Sequence, residues 1–148
     1  MGYTEAYTAY QKANVTTASQ GHLIVLLYEA AVKNMEAAAA LIGAEGKIKA
    51  GDIERFGILI QKTQSIITEL QVSLDMEKGG NISKNLMSLY VYFNSELTDA
   101  NINHNKEKIN SVCTMMKELL DSWQIASNST ANTAASPSPH LPTLNIEG

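Results

Sequence analysis

A chain of 148 residues with 45% hydrophobic and 18% charged content has single-domain size, enough apolar material for a packed core and too much for wholesale disorder. Its net charge is −4 and its eleven Lys and Arg are scattered, so the basic footprint that nucleic acid requires is missing. Apolar runs such as Leu23–Tyr28 are far too short to span a bilayer, and Met1–Glu5 carries no basic, apolar signal pattern. Cys113 is the single cysteine, which rules out an internal disulfide and agrees with an expected cytoplasmic location.

Residues 1–18 read as an N-terminal arm. Tyr3, Tyr7 and Tyr10 are spaced by four and three, which puts them on one side of a helix. Alone the segment is too short to hold a helix in water. A first helix is predicted from Thr17–Ser19, where Thr17 with Gln20 matches a capping box. Ile24, Tyr28, Ala31, Met35, Ala38 and Ile42 form its stripe, and Gly43 and Gly46 end it.

A second helix follows Asp52 as cap, with Ile53, Phe56, Ile60, Thr63, Ile67, Leu70 and Leu74 alternating threes and fours. Gly79-Gly80 then reverses the chain, and Asn81 is the expected cap of a third helix. Leu86, Leu89, Phe93 and Leu97 make its stripe, leaving Tyr90 and Tyr92 as apolar surplus off it. The fourth helix runs from about Asn105 to Ser127 on Ile109, Val112, Met116, Leu119 and Trp123. No alternating strand pattern appears.

The short connections make neighbouring helices antiparallel. The expected fold is therefore all-α: an antiparallel up-down-up-down four-helix bundle over 19–126, with an N-terminal arm and a disordered C-terminal tail. That tail, 127–148, holds all three prolines among Ser, Thr, Asn and Ala, a composition that cannot build a core. Its Leu141, Leu144 and Ile146 leave open a short docking motif.

Chemistry is hard to find. No Glu is followed three positions later by His, so the di-iron pattern of bundles fails. His22 and His104 fall at helix starts or loops and His140 in the tail, while Cys113 sits beside the helix-four stripe as a packed thiol. Gly79-Gly80 lacks the Lys-Ser/Thr of a phosphate loop. An enzyme is not expected, nor any cofactor, metal, nucleic-acid partner or membrane insertion. What remains is apolar surface: the Leu23–Tyr28 run, then Met87, Tyr90, Val91 and Tyr92, then Met115. Such a surplus serves a homodimer face, a site for the arm, or a groove for a partner's amphipathic helix.

The residues also carry a family likeness. Ala6-Tyr7-x-x-Tyr10-Gln11, Val15-x-Thr17-Ala18-Ser19, Leu23-Ile24-x-x-Leu27-Tyr28 and Gln64-x-Ile66-Ile67-x-Glu69-Leu70 occur in order. Ser73-Leu74-Asp75, Gly79-Gly80, Asn85-Leu86, Leu89-Tyr90-x-Tyr92, Ala100-Asn101-Ile102 and Trp123 follow. From Ala6 to Trp123 this resembles the FliS family of flagellin export chaperones. Departures are Gln20 for the usual proline, Glu29-Ala30 for Asp-Gly, and Asn94-Ser95 for basic residues before Leu97.

The resemblance implies a cytoplasmic bundle that binds the disordered C-terminal segment of flagellin. Binding prevents premature polymerisation and supports delivery to the flagellar export apparatus. It also implies a contact surface on Tyr7, Tyr10, Gln11, Leu27, Tyr28, Asn85, Leu86, Leu89, Tyr90, Asn101 and Ile102. The alternative is a structural or regulatory bundle that binds another amphipathic helix or itself.

Overall fold

The computed structural model describes residues 17–134, with side chains described over 21–126. Four helices follow one another: α1 (Thr17–Ala40), α2 (Ile53–Val72), α3 (Gly80–Asn103) and α4 (Lys106–Ala134). The arm residues 1–16 and the tail residues 135–148 lie outside the described part. Residues 127–134, expected in the tail, continue α4. Serine, threonine and asparagine are tolerated in a helix, and the first proline comes only at Pro137.

The helices pack as a closed ring, α1 against α2 and α4, and α3 between α2 and α4. Side-chain pairs show that neighbours run antiparallel. Between α1 and α4, Gln124 Nε2 donates to Glu29 at 3.3 Å, Lys117 pairs with Glu36 at 2.8 Å and Lys106 Nζ reaches the Ile42 carbonyl at 3.4 Å. Partner numbers rise on one helix as they fall on the other. No β-strand occurs among the described residues, only an isolated antiparallel bridge between Ile42 and Ile48 in the first connection.

The expected stripes form the core. Ile24, Tyr28 and Met35 of α1 meet Phe56, Ile60 and Ile67 of α2, Phe93 and Leu97 of α3, and Ile109 and Met116 of α4, all buried. Three readings need correction. Ile53 is 48% exposed, because a 3-10 turn at Ala50–Asp52 runs straight into α2 and leaves its first residue at the bundle's edge. Asp52 makes no side-chain cap bond for the same reason. Tyr90 is fully buried: the core arc of α3 is centred between Phe93 and Tyr90 rather than on Leu89, which is only half-buried.

The turn into α3 also differs from expectation. Asn81 lies inside the helix, and the preceding turn is built by Asp75. Its carboxylate accepts from the Glu77 and Lys78 amides at 3.0 and 2.8 Å, and its carbonyl accepts from the Gly79 amide and the Ser83 hydroxyl. Against the opposing pull of desolvation, the two amide bonds and the Lys78 charge hold the Asp75 carboxyl below its ordinary range. A Cβ on Gly79 would lie 1.6 Å from Ser83 Oγ and 2.9 Å from the Asp75 carbonyl, so no other residue fits. Gly80, at φ +55°, is in open space.

The α3–α4 turn is shorter. His104 takes the left-handed conformation at φ 51°, and Asn105 Oδ1 accepts from the Lys108 amide at 3.1 Å as the cap of α4.

The two glycines should respond differently in urea melts. Gly79→Ala is expected to cost about 1–3 kcal/mol through overpacking. Gly80→Asn should cost under about 1 kcal/mol, since asparagine visits left-handed angles readily.

Candidate partner-binding surface

With the start of α3 taken as the top, the bundle from its midpoint upward is organised by an aromatic cluster. Tyr28 of α1 and Tyr90 of α3 lie across the core from one another. One phenol donates to the other at 2.5 Å, with ring centroids 6.5 Å apart. Trp123 of α4 packs on Tyr28 at 6.3 Å and directs its indole N–H toward the phenol oxygen, while Phe93 packs on Tyr90 at 6.4 Å. Burial pushes the Tyr28 phenol up to about 12, the hydrogen bonds from Tyr90 and Trp123 opposing it weakly. The Tyr28 phenol is therefore neutral, and both rings are deeply held.

The two sides of α3 are unlike. Toward α2 it is sealed by amides and hydroxyls. Asn94 Nδ2 donates to Thr68 Oγ1 at 3.3 Å and to Gln71 Oε1 at 3.2 Å, and Gln64 Nε2 reaches the Asn94 carbonyl and Thr98 Oγ1 at 3.1 and 2.8 Å. Asn94, a departure from the family pattern, thus links two helices here. Toward α4 the contact is the least extensive of the four neighbouring pairs. It is pinned near the bottom, where Lys108 bridges Glu96 at 3.3 Å and Asp99 at 3.2 Å.

Those pairs set the register of the rest of the seam. Steps of three and four up α3 from Glu96 lead to Tyr92, Leu89 and Asn85. Matching steps along α4 from Lys108 lead to Met115, Leu119 and Ser122, with Trp123 beside them. Tyr92 is 44% exposed, and Leu89, Met115, Leu119 and Trp123 are half-buried. Above the ion triad the seam is an apolar strip that the bundle covers incompletely.

The contact residues implied by resemblance fall in several places. Tyr7, Tyr10 and Gln11 lie outside the described residues. Tyr28 and Tyr90 are in the core and present no free surface. Asn85 is exposed and Leu89 half-buried on the α4-facing flank, with Leu86 half-buried beside them. Leu27, also half-buried, belongs to α1. Asn101 and Ile102 sit at the bottom of α3, about 24 Å from Asn85 along the helix, with Ile102 72% exposed. Tyr92, Met115, Leu119 and Trp123 were not in that set. Tyr92 and Met115 stood out in the sequence as apolar surplus, but Leu119 and Trp123 read as plain core stripe.

Among the described residues no group of three or more His, Cys, Asp and Glu is placed to hold a metal, and no helix is long and apolar enough to cross a membrane. The Cys113 thiol, pushed up by burial, packs against the Val32 carbonyl.

The Tyr28 phenol makes a stability prediction. Unfolded, it ionises near its ordinary 10; folded, at about 12. Its contribution is complete below pH 10 and is lost as pH rises to 12, by up to about 3 kcal/mol. Thermal melts from pH 9 to 12 should show this fall, and Tyr28→Phe should flatten it. Tyr90→Ala should cost about 3–5 kcal/mol in urea melts, as for other buried aromatics.

The family model described as "Flagellar protein FliS" matches residues 3–130. Curated relatives agree along most of the chain. A flagellar secretion chaperone FliS of Campylobacter jejuni is 33% identical over 83% of this chain and 91% of its own length. The Bacillus subtilis protein of the same name is 30% identical over 85% and 89%. The flagellar secretion chaperone FliSB of Pseudomonas aeruginosa is 31% identical over 76% and 84%. Four packed helices, an ordered set of motifs from Tyr7 to Trp123, and these matches agree: the chain belongs to the FliS family of flagellar secretion chaperones.

Proposed function

We propose that this chain is a cytoplasmic export chaperone for flagellin. It binds flagellin's disordered C-terminal segment, prevents premature polymerisation and supports delivery to the flagellar export apparatus. The observation that carries this reading is the incompletely covered apolar seam between α3 and α4, with Tyr92 exposed, on a chain whose relatives are named flagellar secretion chaperones. A disordered segment can wrap a large surface, because it orders only on contact. One contact is proposed at Asn85, Leu86 and Leu89 and a second at Asn101 and Ile102, with Tyr7, Tyr10, Gln11 and Leu27 as further proposed contacts. Tyr28 and Tyr90 support the surface from beneath.

The chain acts by holding, not by converting. The seam has no nucleophile paired with a base, and apolar contact with a segment that refolds elsewhere needs none.

Calorimetry with a C-terminal flagellin peptide tests the reading. One-to-one binding with a strongly negative heat-capacity change is expected. Absence of heat, together with no co-migration on gel filtration at tens of micromolar, returns the chain to the alternative of a module for some other helix. Leu89→Asp should weaken binding at least about tenfold, about 1.4 kcal/mol. It should lower the urea midpoint less than Tyr90→Ala does, since Leu89 is not fully buried.

A further inference from the structure

The facing flanks of α3 and α4 carry no charge above the Lys108 triad. On α3 the flank runs through Tyr92, Leu89 and Asn85; on α4 it runs through Met115, Leu119 and Ser122. Charged residues of these stretches turn elsewhere. Lys117 is tied to Glu36 on the α1 side at 2.8 Å. By helical register Lys84, Glu118 and Asp121 project away from the seam, and all three are exposed. Tyr92 and Ser122, at the outer edge, offer only neutral hydroxyls.

We infer that this seam takes about two turns of an amphipathic helix whose polar edges are uncharged, so that binding is nearly independent of ionic strength. The inference rests on the reading that the seam captures a partner segment. Its length follows from the two ends. The bottom is closed by Glu96, Lys108 and Asp99, already engaged with one another. Trp123 marks the top, and the strip between, Met115 to Ser122 facing Tyr92 to Asn85, rises about 10 Å. The charge condition follows from desolvation: a Lys or Glu laid along this strip loses water and finds no opposite charge. Such a site rejects charged helices as well as accepting neutral ones.

Trp123, the single tryptophan, reports occupancy by its fluorescence. The full chain is titrated with the C-terminal flagellin peptide at 50 and 500 mM NaCl, then with peptides carrying one Lys or Glu beside the apolar stripe. The expected Kd changes less than twofold with salt, and each charged peptide binds at least tenfold more weakly at both salt levels. A tenfold weakening across the salt range, or equal binding of the charged peptides, overturns the inference. If the flagellin peptide binds while Trp123 emission and the Leu119→Asp variant report nothing, the seam is not the site and the chaperone reading survives alone. If that peptide does not bind, two designed helices decide, one with Ser and Asn edges and one with Lys and Glu edges. Preference for the neutral helix supports the inference; binding of neither, or of both alike, overturns it.

Discussion

Two phenol hydroxyls that meet in the dark of the bundle fix the arrangement around its middle. Tyr28 and Tyr90 belong to helices that face each other diagonally, and a buried hydroxyl is costly unless it finds a partner. Their bond therefore selects one rotation of α3 about its own axis. In that rotation Phe93 and Leu97 point inward, and Tyr92 and Leu89 are turned to the α4 side. Trp123, packed on Tyr28, brings α4 into the same cluster.

The bundle treats the two sides of α3 differently, and the difference leaves the apolar seam where a partner is proposed to bind. Amides and hydroxyls from Gln64 to Thr98 join α3 to α2 along its middle. Polar bonds of this kind are directional, so they hold register and leave little apolar surface between them. Against α4 the polar contact is confined to Lys108 with Glu96 and Asp99. Above it the seam depends on apolar side chains alone, and those are not fully covered. Uncovered apolar surface on one flank of a stable scaffold is what a chaperone for a disordered segment requires.

The turns at either end of α3 make that flank possible. Asp75 and Gly79 deliver the chain into the top of the helix with the Glu77, Lys78 and Gly79 amides and the Ser83 hydroxyl engaged. His104 and Asn105 take it out through the tightest connection in the bundle and put Lys108 under Glu96 and Asp99. A pinned bottom with a less extensive contact above suits capture of a helix from solution, because the scaffold need not unfold to receive it.

The sequence by itself determined the four helices, their order and antiparallel sense, and most of the core. Stripes in threes and fours such as Phe56, Ile60, Thr63, Ile67 and Leu70 have one solution when joined by short links. It determined the family too, since ordered motifs such as Leu27-Tyr28 and Leu89-Tyr90-x-Tyr92 are legible as they stand. It did not determine which tyrosine faces inward. Tyr90 and Tyr92 are both aromatic and two positions apart, about 200° around a helix, and periodicity alone admits core arcs on either side of Phe93. Only tertiary structure decided it, because the deciding term is a hydrogen bond to Tyr28, 62 positions away in the chain. The division of the implied contact residues, Tyr28 and Tyr90 within, Leu89 on the seam and Ile102 at the far end, has the same origin. Burial is a property of neighbours, and neighbours are assigned by folding.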